Sequence, residues 1–189
     1  DGHVVQMSGR LVVLSGPSGV GKDTVIDAWR DVDPRVERVV ACTSREPRDG
    51  EVDGVSYHFL TRKEFLARAA KGEFLEYKEV HGNLYGTPRR EVEAMLMDGK
   101  VAILKIDVQG AEEVRKLRPE VITIFLLPPS FEELERRIRG RALDSEETIQ
   151  KRLAGARAEL AEADEYDHRV VNDRVPLAVK RIMEIVGAA

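Results

Sequence analysis

An apolar stretch that runs into a glycine-rich loop constrains the fold of this chain more than any other feature. Residues 11–14 are aliphatic, and after Ser15 the sequence reads Gly-Pro-Ser-Gly-Val-Gly-Lys up to Lys22. Glycines at this spacing let successive backbone N–H groups point into one concavity, to which the next helix adds the positive end of its dipole. The pattern therefore predicts a buried strand, a phosphate-binding loop and a helix, in that order.

The loop matches most of the phosphate-loop pattern G-x-x-x-x-G-K-S/T, in which the lysine reaches the outer phosphates. Asp23 occupies the Ser/Thr position, whose hydroxyl would contact a metal ion, and Thr24 follows it directly. Val25, Ile26 and Trp29 lie on one face of the predicted helix, which favours a phosphate loop over a plain glycine turn. The residues predicted to bind a di- or triphosphate are Gly16, Pro17, Ser18, Gly19, Val20, Gly21, Lys22, Asp23 and Thr24.

Length and composition limit the classes of partner. The 189 residues suffice for one domain with a small inserted lobe, but not for two ordinary domains. A net charge of −4 gives no general attraction to nucleic acid, so an anionic ligand must be bound by a local cluster of Arg and Lys. No apolar run is long enough to span a bilayer, and the single cysteine cannot form an intrachain disulfide. We expect a cytoplasmic protein that binds small phosphorylated molecules, and the sequence leaves a homo-oligomer open.

Short apolar runs alternate with helical patterns along most of the chain. This alternation predicts an α/β fold with a five-stranded parallel sheet flanked by helices. Thr61 with Glu64, and Ser130 with Glu133, fit capping boxes at two helix starts. The apolar runs cover residues 11–15, 36–42, 101–107, 121–127 and 169–172.

Three segments fall outside this alternation. Residues 1–9 carry little periodic pattern and are predicted to be a disordered tail before a domain at 10–189. Residues 43–87 are rich in turns and short alternating strands, which predicts a small β-rich lobe inserted into a core formed by 10–42 and 88–189. A polar stretch at 139–147 has few apolar anchors, so we expect a mobile lid at about 137–157.

Two arginines stand three residues apart where the lobe begins. Pro47 lies between Arg45 and Arg48 and would keep the chain extended, which would fix the spread of the two side chains. Guanidinium groups bind phosphate oxygens through paired hydrogen bonds. The segment therefore predicts a second phosphate site, or else a solvated turn of the kind that polar loops usually form.

Together these segments resemble the guanylate kinase family, whose members transfer a phosphoryl group from ATP to GMP. The resemblance extends from about Arg10 to Ile185. It implies a P-loop nucleoside monophosphate kinase-like fold in which the inserted lobe binds GMP. Besides the glycine-rich loop, the similar segments are TSREPRDGE at 43–51 with Gly54 and Tyr57 beyond it, FLEY at 74–77, GNLYGT at 82–87, IDVQG at 106–110 and VVND at 170–173.

The resemblance also implies roles for individual residues. Glu76 and Thr87 would recognise guanine, because a carboxylate can accept from its N1–H and N2–H₂ groups while a hydroxyl donates to O6. The GMP phosphate would be held by the arginines and tyrosines of the full set, which is Arg45, Arg48, Tyr57, Glu76, Tyr85, Gly86, Thr87, Asp107, Gln109 and Gly110. Beyond the glycine-rich loop, ATP would contact Arg137, Arg141 and Asn172.

The same resemblance implies how the reaction is catalysed. The GMP phosphate is already an anion, so no general base is needed, and positioning and charge neutralisation supply the rate. Mg²⁺ would accompany ATP and be held by Thr24 and Asp107. The residues implied as catalytic are Lys22, Arg45, Arg48, Arg137, Arg141 and Arg152.

Several alternatives stay open from the residues alone. Asp107 fits a helix N-cap as well as a metal ligand, and the lid arginines fit a salt-bridged solvent face. The chain could also be a different nucleoside monophosphate kinase, or a non-catalytic guanylate-kinase-like module that binds proteins. Asp23, Ala41 and Lys105 depart from the family pattern, and Lys105 stands where an acid often precedes Asp107.

Overall fold

The computed structural model describes residues 9–140 and 144–188, so the predicted ligand Arg141 lies outside the described residues. Within these ranges the strands are β1 (Arg10–Ser15), β2 (Val36–Arg38), β3 (Cys42–Thr43), β4 (His58–Phe59), β5 (Phe74–Val80), β6 (Asn83–Pro88), β7 (Val101–Lys105), β8 (Ile122–Leu127) and β9 (His168–Val171). The helices are α1 (Lys22–Val32), α2 (Arg62–Ala70), α3 (Arg89–Met97), α4 (Val108–Leu117), α5 (Phe131–Gly140), α6 (Glu146–Leu160) and α7 (Val175–Ala188), with a 3₁₀ turn at Ala163–Glu165.

The central sheet has the order β2-β7-β1-β8-β9, and all neighbouring strands are parallel. The predicted five-stranded parallel sheet flanked by helices is thus confirmed. The predicted apolar strand at 36–42 is split, however, because β2 ends at Arg38 and Cys42 already pairs with Gly86 in a second sheet. The Val39 N–H still donates to the Ile103 carbonyl at 2.9 Å, and beyond this bond the chain leaves the central sheet.

Helices cover both faces of the central sheet. On one face, Val12 of β1 packs in the same cluster as Ile26 of α1 and Ile182 of α7. On the other face, Val13 packs in the same cluster as Val92 of α3. All five side chains are fully buried, and each such burial stabilises the fold by about 1.5–3 kcal/mol. Because the strands are parallel, their carboxyl ends lie at one edge, where open α/β sheets bind ligands.

The second sheet is built from chain between β2 and α3, in the order β4-β3-β6-β5. Strand β6 is antiparallel to both β3 and β5. Helix α2 packs on this sheet through Phe65, whose ring stacks on Phe74 with centroids 4.4 Å apart. A Cβ at Gly86 would lie 2.9 Å from atoms of both rings, so the lobe needs a glycine at this position of β6.

Two predicted helix starts can be compared with the structure. Thr61 and Glu64 form the complete capping box at the start of α2. At α5, Ser130 Oγ accepts from the Glu133 N–H at 3.1 Å, but the Glu133 carboxylate accepts from Arg136 at 3.0 Å and from Arg137 at 3.3 Å. Two arginines one turn further along the helix therefore compete for the carboxylate that would complete the box. None of the helices in the described residues is both long and apolar enough to cross a membrane.

Candidate active site

The glycine-rich loop connects β1 to α1 at the carboxyl edge of the sheet. Gly19 and Gly21 adopt positive φ angles of 87° and 96°, which favour glycine, and α1 begins immediately after Gly21. The Lys22 ammonium donates to the Gly16 carbonyl and so lies over the loop. A cleft lies over this loop, and we call it the phosphate cleft after the ligand that the sequence predicts. It is lined by Pro17, Ser18, Gly19, Gly21, Lys22, Asp23, Thr24, Lys105 and Glu159.

The surroundings of Lys22 in this cleft alter the pKa of its ammonium group. Burial lowers its pKa to about 8, with Lys105 acting in the same direction and Glu159 opposing the change. The ammonium is therefore mostly protonated at neutral pH, and the negative charge of a bound phosphate would favour the charged form further. Lys22 is thus suited to hold phosphate oxygens.

Asp23 does not present an unpaired negative charge to the cleft. Its Oδ1 atom lies 2.8 Å from the Lys105 ammonium and 3.1 Å from the Arg38 guanidinium. Burial alone would raise the pKa of Asp23, but the hydrogen bond and charge of Lys105, together with the charge of Arg38, outweigh it and hold that pKa below its usual value. The two cations therefore offset the carboxylate that replaces the usual hydroxyl.

Two residues predicted to contact ATP form hydrogen bonds to the backbone of the glycine-rich loop. The buried Asn172 amide donates to the Val20 carbonyl at 2.8 Å. The Arg137 guanidinium donates to Val20 O at 3.3 Å and Asn172 O at 3.5 Å. Asn172 Oδ1 is buried and has no hydrogen-bond partner within the described part of the chain, so it keeps one acceptor available.

The arginines of the predicted lid show both arrangements that the sequence left open, contact with the ATP site and a salt-bridged surface. Arg152 Nη2 lies 3.2 Å from Ser18 Oγ, which brings α6 onto the glycine-rich loop. Arg152 also pairs with Asp144 at 3.3 Å, and Arg139 pairs with Glu146 at 2.7 Å, as a salt-bridged surface would. Arg137 and Arg152 thus contact the glycine-rich loop, whereas Arg139 contacts the carboxylates of Glu135 and Glu146.

A second cleft lies between the inserted lobe and the central sheet. We call it the acceptor cleft, because the family resemblance implies that this lobe binds GMP, the phosphoryl acceptor. At one wall Thr87 Oγ1 donates to Glu76 Oε1 at 2.7 Å, because β5 and β6 place these two residues opposite each other. Burial raises the pKa of Glu76. A Cβ at Gly110 would lie 3.2 Å from Glu76 Oε2, so a glycine at the start of α4 leaves room for this carboxylate. The cleft is lined by Ala41, Tyr57, Glu76, Lys78, Val80, Tyr85, Gly86, Thr87, Lys105, Ile106 and Asp107.

Arg45 is held in place at the edge of the acceptor cleft. Its guanidinium donates to both oxygens of Glu51, at 2.8 and 3.0 Å, and lies 5.3 Å from the centre of the Tyr57 ring. The hydrogen bonds to Glu51 raise the pKa of Arg45, and Arg45 in turn lowers that of Glu51 to about 2. The Arg48 N–H donates to Glu51 at 2.8 Å. Glu51 therefore fixes the geometry of the loop that carries both arginines.

Asp107 shows the N-cap role that the sequence left open. Its carboxylate accepts from the Gly110 N–H at 3.0 Å at the start of α4, and it also forms an ion pair with Lys78. Burial lowers the pKa of Lys78. Arg48 and Gln109 are exposed and line neither cleft.

The structure adds site residues that the sequence reading missed. Lys78 follows Glu76 by two positions on β5, so the two side chains point to the same face, and this alternation is a signal the sequence carries. Glu51 belongs to the same motif as the two arginines but has no distinguishing pattern of its own. Glu159 lies near the end of α6 and reaches the phosphate cleft only through the packing of that helix.

Comparisons with known proteins agree with this geometry. A family model described as Guanylate kinase matches residues 8–189. The guanylate kinase of Trichormus variabilis is 49% identical over 175 residues, which cover 93% of this chain and 88% of that protein. The guanylate kinase of Rubrobacter xylanophilus is 49% identical over 178 residues, covering 94% and 93%. The crystal structure of guanylate kinase from Anaplasma phagocytophilum matches with a TM-score of 0.77 and 34% identity, covering 97% of this chain and 87% of that chain. This chain therefore belongs to the guanylate kinase family.

Proposed function

We propose that this chain is an ATP-dependent guanylate kinase, which transfers the γ-phosphoryl group of ATP to GMP and yields ADP and GDP. The observation that carries the proposal is the buried Glu76–Thr87 pair, which lines a cleft beside the glycine-rich loop. ATP and GMP are small soluble metabolites, so the cytoplasm is the compartment that this function favours.

Guanine complements the Glu76–Thr87 pair. Its N1–H and N2–H₂ groups can both donate to the carboxylate, and its O6 can accept from the Thr87 hydroxyl. Burial raises the pKa of Glu76, and donors from a bound base would favour its charged form. Adenine would leave the carboxylate without its donors, at a cost of about 1–3 kcal/mol or more for a charged group. This difference would select GMP over AMP.

The phosphate of GMP would lie between Arg45 and the tyrosine pair. The Tyr57 and Tyr85 ring centres are 6.1 Å apart, and Arg45 lies over Tyr57. Glu51 already orders Arg45, so little side-chain entropy would be lost when the phosphate binds. Arg48 lies three residues beyond Arg45 and is exposed, so its side chain would need to turn toward the phosphate of GMP to contact it as well.

ATP would place its phosphates on the glycine-rich loop. Lys22 and the backbone N–H groups of the loop would contact the outer phosphates, and Arg137 and Arg152 already contact the loop from the lid side. The unpartnered Asn172 Oδ1 is an acceptor for the amino group of adenine. Arg141 belongs to the same proposed set.

The reaction needs no general base at neutral pH. A GMP phosphate oxygen supplies the electron pair for the new bond to the γ-phosphorus, and the bond from that phosphorus to the β–γ bridging oxygen breaks, leaving its electrons on ADP. Lys22, Arg45, Arg137 and Arg152 would offset the charge of the two anions as they approach. Residues that close over the site would also exclude water as a competing acceptor.

Mg²⁺ would enter with ATP. The described residues contain no group of three or more His, Cys, Asp and Glu side chains that could hold a metal ion by themselves. Mg²⁺ in kinases is typically held by one or two protein oxygens, substrate phosphates and water, so the residues fit this mode. We propose that the Thr24 hydroxyl contacts the ion and that Asp107 acts near its water shell. When bound, Mg²⁺ would neutralise charge on the ATP phosphates.

The decisive experiment is a coupled ADP-release assay with ATP and a panel of GMP, dGMP, AMP, CMP and UMP, with and without Mg²⁺. We expect turnover with GMP that requires Mg²⁺, and much slower turnover with AMP and the pyrimidine nucleotides. Faster turnover with AMP, CMP or UMP would identify a different nucleoside monophosphate kinase. Binding of GMP with no ADP release would instead support a non-catalytic module.

A further inference from the structure

Lys105 occupies a position between the two clefts. Among the residues the structure describes, it alone lines both the phosphate cleft and the acceptor cleft. It ends β7, where the strand register places it beside Leu14, one residue before the end of β1. The pairing of two central strands therefore fixes the base of this side chain next to the glycine-rich loop.

The ion pair of Lys105 with Asp23 is not built for stability. The Lys105 ammonium lies 2.8 Å from Asp23 Oδ1, but the Asp23 side chain is 63% exposed. Exposed ion pairs contribute little to folding, because water screens them and two long side chains lose rotamer freedom. Arg38 also contacts the same oxygen at 3.1 Å, so Asp23 would keep a partner if Lys105 moved away.

The surrounding charges favour a second anion at this point. Lys22 and Lys105 both line the phosphate cleft. Two neighbouring ammonium groups repel each other, and Asp23 offsets only part of this repulsion. Phosphates that meet between the two clefts would lie near both cations and remove the repulsion.

We propose that Lys105 is a further catalytic residue: when both nucleotides are bound, its ammonium leaves Asp23 and contacts the phosphates that meet between the clefts. This role rests on the proposed function. As the γ-phosphoryl group passes from the ADP oxygen to the GMP oxygen, no proton moves through Lys105. Its charge offsets the repulsion between the donor and acceptor phosphates. Asp23 then serves as the counter-ion of Lys105 in the nucleotide-free protein.

A double-mutant cycle separates this role from simple neutralisation of Asp23. The variants are Lys105→Met, Asp23→Asn and the two combined, and kcat is measured at saturating ATP and GMP. We expect Lys105→Met to lower kcat about a hundredfold, as loss of a donor to a transition-state oxygen does, and the combined variant to be equally slow. If Lys105 only neutralised Asp23, adding Asp23→Asn would restore kcat, and that result would overturn the proposal.

Lys100→Met is the matched control. Lys100 immediately precedes the other end of β7 and forms an ion pair of the same 2.8 Å length, with Glu37, but lines neither cleft. We expect it to retain kcat within about twofold. Thermal melting checks that each variant folds. If Lys105→Met has a lowered melting temperature, Lys105→Gln replaces it in the experiment, since glutamine keeps a polar side chain without the charge. We expect the same loss of kcat for this variant.

Calorimetry supplies a readout that does not depend on turnover. We expect Lys105→Met to bind ADP and GMP singly within threefold of the unmodified protein, but to bind an adenosine–guanosine pentaphosphate, which fills both clefts, at least tenfold more weakly. Unchanged affinity for that ligand would overturn the role of Lys105. Absence of GMP phosphorylation by the unmodified protein would refute the proposed function as well, whereas normal turnover by Lys105→Met would refute this inference alone.

Discussion

At the residue scale, the acceptor cleft depends on one buried carboxylate. Glu76 is only 8% exposed, and its Oε1 atom accepts from Thr87, which leaves most of the acceptor sites of the carboxylate for a ligand. Burying a polar group is costly unless donors reach it. The base that supplies those donors is thereby favoured over bases that cannot.

The first prediction concerns this carboxylate. Glu76→Gln replaces one acceptor oxygen by a donor group that would face the donors of guanine. We expect kcat/KM for GMP to fall at least a hundredfold, which corresponds to about 2.7 kcal/mol. Glu79→Gln, an exposed change on the same strand, is the control and should stay within about twofold. Equal GMP kinetics for Glu76→Gln and the unmodified protein would contradict guanine recognition by this residue.

The second prediction concerns pH. Burial places the pKa of Lys22 at about 8, below its usual value, so the nucleotide-free protein loses this positive charge as the pH rises through 8. We expect kcat/KM for ATP to decline above about pH 8, since this parameter reports groups of the free enzyme. Lys22→Arg should move the decline to higher pH, because arginine stays protonated. An unchanged alkaline limb in that variant would assign the decline to another group.

At the scale of elements, the inserted lobe depends on the packing between α2 and its sheet. Phe65 is fully buried, stacks on Phe74 and lies directly against the backbone of Gly86. These contacts set the distance between α2, β5 and β6. Since β5 carries Glu76 and β6 carries Thr87, the same contacts position the residues proposed to recognise the base.

The third prediction follows from this packing. Gly86→Ala would place a methyl group 2.9 Å from both rings, and overpacking of this kind costs about 1–3 kcal/mol. We expect a lower midpoint of urea unfolding and weaker GMP binding. Gly155→Ala is the control, because Gly155 lies in α6 with open space around it, and alanine there should stabilise the helix by about 0.5–1 kcal/mol. Equal midpoints for the two variants would contradict this account of the lobe.

At the scale of the whole molecule, the parallel sheet could be predicted from sequence because its central strands β1, β7 and β8 are almost continuous apolar runs buried on both faces. The same argument failed at residues 36–42, where apolar residues serve two different sheets. The turn between β1 and α1 was equally predictable, since Gly19 and Gly21 adopt positive φ angles that favour glycine. Glu159 and the Lys105–Asp23 contact were not, because tertiary packing brings together residues more than 80 positions apart in the sequence.

The fourth prediction concerns metal removal from the whole protein. Because we propose that Mg²⁺ arrives with ATP, the nucleotide-free fold should not depend on a metal. We expect a chelator to abolish turnover with ATP and GMP while shifting the melting temperature by less than about 1 °C. A drop of several degrees would indicate a resident metal ion and contradict the proposal that Mg²⁺ arrives with ATP.

The strands by which the chain enters and leaves the inserted lobe are hydrogen-bonded to each other, with Thr43 opposite Tyr85. The whole insertion is therefore closed at its base, between the central strand β2 on one side and helix α3 on the other. A segment joined in this way can be replaced as a unit without changing the part of the protein that is proposed to bind ATP. Selection can thus alter which nucleotide is phosphorylated while the machinery that handles ATP stays the same.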